Sequence, residues 1–267
     1  MKLKLCDAKS LDIEKTFECG QCFRWNCNDK GVYTGVVGKH LAEVETIDGE
    51  VYITSDAPAE MWADYFDLAT DYAAVSEDFA GDYLHACVDY GMGIHILRQD
   101  SWEALCSFII SQCNNITRIK GIVERLCELF GDKCDANGVS FYTFPSAERL
   151  AALEPDELAG IRSGYRAEYI INAARAVASG ELDLDALKTC DYRQAIKTLR
   201  QMRGVGEKVA NCVVLFGLYH MEAFPIDVWM KRALKENFPE DFDPASLGAY
   251  AGLAQQYIFY YARSGGK

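Results

Sequence analysis

Over the first 55 residues apolar and polar positions alternate with a period of two. Phe23 and Trp25, then Val32, Tyr33, Val36 and Val37, lie between turn signals, the pattern of strands that bury one face. Asn28-Asp29-Lys30-Gly31 reads as a hairpin loop between two such strands. Asp48-Gly49 separates residues 44–47 from 51–53 and suits a two-residue type I′ turn, in which both central residues take positive φ. An antiparallel sheet is the expected outcome.

Near residue 58 the period becomes helical. Asp100, followed three residues later by Glu103, marks a helix start, and Trp102, Leu105, Cys106, Ile109 and Ile110 follow at helical spacing. Asn114-Asn115 interrupts. A second helix carrying Ile116, Ile119, Val123, Leu126 and Phe130 stops at Gly131. Pro145 and Pro155 open two short helices, 165–179 is helical up to Gly180, and 191–202 forms a helix before Gly204-Val205-Gly206. Further helices are expected over about 207–217, 227–237 and 245–262. The predicted fold class is α+β: an N-terminal antiparallel β-sheet domain (1–95, with the first helices) packed on a mainly helical domain (96–267). Within the latter, about 192–217 forms a helix–hairpin–helix.

The composition changes this picture little. Half of the 267 residues are hydrophobic and 25% are charged, ordinary for a globular chain of about two domains. The charge matters more. With 27 Lys and Arg against 40 Asp and Glu the chain carries −13, which taken whole argues against a polyanionic partner. However, residues 40–100 hold fourteen acids with Arg98 as their only base, so this segment carries the entire −13 and the remainder is neutral. A dipolar molecule is expected, its acidic face turned away from any polyanion. The start, MKLKLCDAKS, has no apolar run behind its lysines, and no stretch approaches the ~20 apolar residues of a membrane span. The expectation is a soluble intracellular protein with no membrane partner. The eleven cysteines then read as mostly reduced, buried thiols. Cys19, Cys22 and Cys27 invite a zinc reading, but no second close pair supplies the four ligands of a structural site. No metal site is expected.

Chemistry concentrates in Leu199-Arg-Gln-Met-Arg-Gly-Val-Gly-Glu-Lys-Val-Ala210. It reads as helix, tight turn, helix. Glycine permits positive φ and close backbone approach, and the amides of Val205, Gly206 and Glu207 would face an anion from a helix N-terminus. Four bases (Lys197, Arg200, Arg203, Lys208) and one acid fall within 196–210. A dinucleotide fingerprint needs a strand before its glycines, and a helix precedes these, so a phosphate clamp is the preferred reading over a plain helix–turn–helix corner. Lys208 falls in the first turn of the second helix, a position unfavourable for a cation kept only for stability. A Schiff-base nucleophile needs a neutral amine. Asp227, in Phe224-Pro225-Ile226-Asp227-Val228-Trp229, is placed to N-cap the next helix, a role that by itself needs no chemistry.

At these residues the chain resembles the helix–hairpin–helix, Gly/Pro-rich, aspartate superfamily of DNA glycosylases, and within it the 8-oxoguanine DNA glycosylase family. The 199–210 frame, Lys208, and Asp227 after Pro225 carry the superfamily resemblance. Four further blocks carry the family one: Cys19-Gly20-Gln21-Cys22-Phe23-Arg24-Trp25, the central helices from Gln99-Asp100 through Ile119, Gly164-Tyr165-Arg166-Ala167, and Ala251 through Phe259. The blocks occur in the family's order and span nearly the whole chain.

The resemblance implies a glycosylase and abasic-site lyase that flips 8-oxoguanine out of duplex DNA. It implies Lys208 as nucleophile on C1′ and Asp227 as stabiliser of the developing positive charge. Gly20 would accept from N7–H of the damaged base and Gln255 would read its pairing edge, on a C-terminal helix that returns to the pocket. Cys212 and Phe259 would sandwich the base. Tyr165 would wedge the stack, and Arg118 and Arg166 would read the orphan cytosine. Asn114, Asn115 and the hairpin Gly204, Val205 and Gly206 would also meet DNA. No cofactor is required by this likeness. A monovalent cation on hairpin carbonyls is admitted, and the absence of cysteines after Cys212 disfavours the iron–sulfur branches. A monomer is implied. The chain departs from the family pattern twice. Cys113 stands where the first of three asparagines is usual, which implies relaxed discrimination of the opposite base. Trp229 stands where some members have histidine, so stacking or packing replaces proton transfer there.

Overall fold

The structure, a computed structural model, describes residues 1–136 and 138–265. Its first part is built on five strands, β1 (Lys2–Asp7), β2 (Trp25–Cys27), β3 (Tyr33–Val37), β4 (His40–Ile47) and β5 (Glu50–Ser55). They form one antiparallel sheet in the order β1-β5-β4-β3-β2. The Asn28 side chain closes the β2–β3 loop by accepting from the Lys30 and Val32 amides (2.9 and 3.1 Å). Ile47 pairs with Glu50 across Asp48 and Gly49, whose φ angles are 52° and 81°, the type I′ geometry that fits strand twist. Alternation places Ala42, Val44, Val51 and Ile53 in a buried layer with Trp25, and Trp25 stacks on Phe17 (ring centroids 4.4 Å apart). Phe17 lies on a short helix, α1 (Ile13–Glu18), which the strand pattern of the first 55 residues concealed. Asp12 caps it by accepting from the Lys15 amide (3.0 Å).

The helical remainder comprises α2 (Ala59–Tyr65), α3 (Tyr72–Glu77), α4 (Asp82–Gly91), α5 (Ser101–Ser111), α6 (Ile116–Phe130), α7 (Ala147–Ala151) and α8 (Arg166–Ala178). It continues with α9 (Leu184–Thr189), α10 (Tyr192–Leu199), α11 (Glu207–Phe216), α12 (Val228–Asn237) and α13 (Ala251–Tyr260). Helix α9 is not among the expected helices, and two further elements differ from expectation. The helix expected over 245–262 is broken at Gly248 (φ 74°, ψ −154°), leaving a 3-10 turn, Pro244–Tyr250, before α13. A hairpin, β6 (Lys133–Ala136) and β7 (Val139–Tyr142), follows α6. Of its two strands only Phe141 is buried, so no apolar period announced it.

Two apolar cores result. One lies under the sheet around Phe17, Trp25, Trp62 and Phe66. The larger is helical, and α3 and α4 contribute Tyr72, Leu84, Cys87 and Val88 to it. Gln21, fully buried, ties the sheet side to the segment before α5. Its Nε2 donates to His95 O (2.7 Å), its Oε1 accepts from Leu97 N (2.9 Å), and its own carbonyl accepts from Gln99 Nε2 (2.8 Å). Nearby, Arg24 donates to Tyr142 O and lies 3.6 Å from the Glu103 carboxylate, of whose side chain 19% is exposed.

Burial pushes the Glu103 carboxyl up to about 7, against the opposing pull of Arg24. A carboxyl raised on folding contributes stability that is complete below its unfolded value of about 4.3 and is lost as pH climbs through the folded one. Glu103→Gln should therefore flatten the fall in urea-unfolding free energy between about pH 5 and pH 8. A wild-type slope in the variant would exclude Glu103 as its source.

Candidate active site

The site is assembled around the turn between α10 and α11. Gly204 has φ 87°, and a Cβ there would sit 2.3 Å from ring atoms of Tyr169, so both backbone and space demand glycine. Gly206 is different. Its φ is −87°, any residue's conformation, and a Cβ would meet open space. It N-caps α11 without a side-chain cap, leaving first-turn amides uncovered. The expectation for Val205 needs correction. Its amide donates to Met202 O (3.1 Å) and its side chain is buried, because this bond closes the turn. The amides left for an anion are those of the first turn of α11. The basic charge is also reduced: Arg200 pairs with Glu207 at 2.6 Å, and Arg203 pairs with Glu168.

Lys208 is half-buried, and its Nζ donates to Ser111 Oγ (3.2 Å) while lying 5.5 Å from the centre of the Phe108 ring. The Ser111 hydroxyl donates to Phe108 O (2.7 Å), which leaves its lone pairs for the lysine. Cys212, one turn further along α11, is buried. Burial pushes its thiol up, and the Lys208 charge opposes this. Asp227 caps α12 by accepting from the Met230 amide (2.9 Å). Among the described residues no ion pair within 4.0 Å joins Lys208 and Asp227.

The last helix closes the site because it can approach closely. A Cβ on Gly252 would lie 2.4 Å from Leu215 Cδ1, and the Gly252 amide donates to Met221 O (2.7 Å). Gln256 Nε2 donates to Cys19 Sγ (3.2 Å) and Arg263 to Glu18 O, tying the C-terminal end to the loop of Gly20 (φ 84°). Gln255 is 4% exposed, and its Oε1 has no hydrogen-bond partner among the described residues. Leaving such an acceptor unmet is costly. Lys208, Asp227, Gly20, Cys212, Gln255 and Phe259 all line one cavity of about 50 Å³. Cys19, Phe108, Phe216, Pro225 and Gln256, not foreseen from sequence, complete it, and no residue of 40–100 contributes. Phe108 lies in an apolar helix whose period says only that it is buried, and Ser111 ends that helix without a motif.

The residues expected at the opposite strand lie elsewhere. Tyr165 is 55% exposed with the Arg166 guanidinium 4.4 Å from its ring centre. Arg166, expected to read the orphan cytosine, is buried. It is 5% exposed, donating from Nε to Gln112 O (2.9 Å) and from Nη1 to Ser163 O (3.0 Å). Gln112 in turn donates to Gly204 O (3.0 Å), so the Tyr165 loop, the end of α5 and the hairpin are joined. Asn114 donates to Ile110 O (2.7 Å), and Asn115 caps α6 by accepting from Arg118 N (2.9 Å). Both side chains are thus partly committed to helix ends. Cys113 is exposed at φ 52°, and Arg118 is exposed in the first turn of α6.

Among the described residues no group of three or more His, Cys, Asp or Glu could hold a metal ion, and no helix is long and apolar enough to cross a membrane.

A lysine on the second helix of a helix–hairpin–helix, with an aspartate capping the next helix on the same cavity, defines the lysine-bearing class of helix–hairpin–helix glycosylases. The 8-oxoguanine DNA glycosylase N-terminal domain matches residues 4–105, and the HhH-GPD superfamily base excision DNA repair protein matches residues 106–245. The Arabidopsis thaliana N-glycosylase/DNA lyase OGG1 is 30% identical, over 93% of this chain and 76% of its own length. A structure of MBOgg1 in complex with a low-affinity DNA ligand superposes with TM-score 0.92 at 37% identity, covering 100% of this chain and 96% of that one. The Clostridium acetobutylicum 8-oxoguanine glycosylase/lyase, in complex with duplex DNA containing cytosine opposite 8-oxoguanine, gives 0.90 at 33% identity, covering 100% and 99%. The chain belongs to the 8-oxoguanine DNA glycosylase family of the HhH-GPD base-excision repair superfamily.

Proposed function

We propose that the chain excises 8-oxoguanine from duplex DNA and then cleaves the strand, as a bifunctional glycosylase and abasic-site lyase. The observation that carries this reading is the shared cavity of Lys208, Asp227 and the unpartnered Gln255 Oε1. Lys208 Nζ attacks C1′; the C1′–N9 bond breaks and its electron pair leaves with the base, which takes up a proton. The nitrogen then loses its proton and its lone pair forms the C1′=N bond as the C1′–O4′ bond breaks and O4′ takes up a proton. The resulting ring-opened imine loses a C2′ proton, and the C3′–O bond breaks with the phosphate as leaving group. Asp227 stabilises the positive charge that develops at C1′ and assists removal of the lysine proton. The Gly20 carbonyl accepts from N7–H, a hydrogen that guanine lacks, so an undamaged base forfeits a buried contact. Gln255 reads the pairing edge, and Cys212 and Phe259 enclose the ring. A cavity of about 50 Å³ has room for a water or two, so admitting a purine requires its lining to rearrange.

Duplex DNA is the partner, held by the first-turn amides of α11 and by Lys197, with Tyr165 as the wedge. A monovalent cation belongs to this reading; Met202 O and Gly204 O each accept one protein donor and keep a lone pair for it. We take 1–95 and 96–267 as the two domains, with matched family regions meeting at residues 105 and 106, and the protein as a monomer acting on genomic DNA within the cell. Borohydride trapping on a duplex with 8-oxoguanine opposite cytosine should yield a covalent adduct, and its absence would overturn the Schiff-base step. Cys113→Asn should raise excision opposite cytosine over that opposite other bases by roughly five- to tenfold, the value of one added base contact. Asparagine tolerates the left-handed backbone at this position, so an unchanged opposite-base profile would refute the role given to Cys113.

A further inference from the structure

The arginine expected to read the orphan base beside Arg118 is Arg166, yet its guanidinium is buried against Gln112 O and Ser163 O. Another arginine stands where Arg166 does not. Arg162, at the C-terminal end of the 3-10 turn Pro155–Ile161, is exposed and takes φ 60°, ψ 37°. Residues other than glycine, asparagine and aspartate seldom adopt this conformation, and a strained non-glycine residue beside a binding loop points towards function. The loop is held firmly in that shape: Arg125 donates from Nε and Nη2 to Ile161 O (3.1 and 3.0 Å). Arg162 lines a cleft of about 530 Å³ together with Arg118, Tyr165, Ser163 and Asp156. Among the described residues neither the Arg162 nor the Arg118 guanidinium has a hydrogen-bond or ion-pair partner. Ser163 is 1% exposed, and its Oγ is also unpartnered. Two unengaged cationic donors, an unsatisfied buried hydroxyl and a carboxylate thus converge beside the wedge residue.

We infer that Arg162 is a further specificity-determining residue, sharing with Arg118 the recognition of the unpaired opposite-strand base that the family resemblance already places beside Tyr165. The inference rests on the glycosylase reading above. The pairing edge of cytosine offers N3 and O2 as acceptors and the N4 amino group as donor, which the arginines and Asp156 complement. Arg166, stacked on Tyr165 and bonded to Gln112, positions the wedge.

The test compares excision of 8-oxoguanine opposite cytosine with excision opposite a tetrahydrofuran abasic analogue, which leaves the cleft without a base. Arg162→Gln should lower kcat/KM opposite cytosine roughly tenfold, the range of one base contact, and leave the rate opposite tetrahydrofuran unchanged. Arg162→Gly, which suits the left-handed backbone, should give the same ratio with no loss in thermal melting temperature. Equal losses on both substrates would make Arg162 a backbone-phosphate contact and overturn the inference, as would no loss opposite cytosine. A selective loss opposite cytosine in Arg166→Lys, with Arg162→Gln silent, would return the role to Arg166. A wild-type protein inert on both substrates would instead sink the glycosylase reading.

Discussion

Lys208→Gln should abolish strand cleavage and base release while leaving duplex affinity within a few-fold of wild type. Glutamine keeps much of the side-chain length and can still donate to Ser111 Oγ, the partner of Lys208 Nζ at 3.2 Å. Stability should therefore change by less than about 1 kcal/mol, the scale of one part-exposed hydrogen bond. The amide has no nucleophilic lone pair, so the covalent route closes. Loss of a nucleophile that acts as a unit with its partners costs at least about 10³-fold. Single-turnover excision with gel readout measures the chemistry, and fluorescence anisotropy on the same duplex measures binding. Two results would remove Lys208 from the chemistry: retained cleavage, or an adduct still formed by the variant under borohydride. A parallel collapse of affinity and melting temperature would make it structural.

The contrast between Lys208 and Val205 shows where the sequence was informative. Lys208 stands out by its position in a first turn, and the fold brings it to one cavity with the five other residues expected there, spread from Gly20 to Phe259. Spacing alone reaches no further than a helix face, as for Lys208 and Cys212; the return of α13 to Gly20 was legible only through the family likeness. Val205, Gly206 and Arg166 show the opposite. Which amide in a tight turn is already used, and which way a long guanidinium runs, depend on individual hydrogen bonds that leave no mark on residue type. The elements that depart from their residue pattern have the same character. Helix α1 was hidden because six residues show too few turns for a period to emerge against the surrounding strands. The β6–β7 hairpin buries too little to alternate. The break before α13 needed only one glycine to be weighed as a left-handed position. The acidic stretch 40–100 supplies no residue to the base cavity.

Asp227→Asn should separate two roles that coincide in one side chain. Asp227 Oδ1 accepts from the Met230 amide at 2.9 Å and so caps α12. Asparagine caps a helix about as well as aspartate, whereas alanine forfeits about 1 kcal/mol. The asparagine variant should therefore melt close to wild type and the alanine variant lower. Chemistry should part from stability. Asparagine carries no negative charge to set against the cationic sugar, and removing one such preorganised electrostatic contact costs about 10²–10³-fold. That loss should appear in the base-excision rate, where charge develops at C1′. Strand cleavage at a preformed abasic site should fall less, because Lys208 there meets an aldehyde and no glycosidic bond has to break. If asparagine supports wild-type excision while alanine only lowers the melting temperature, Asp227 is a cap and nothing more, and the positive charge at C1′ must be met by another group lining the cavity.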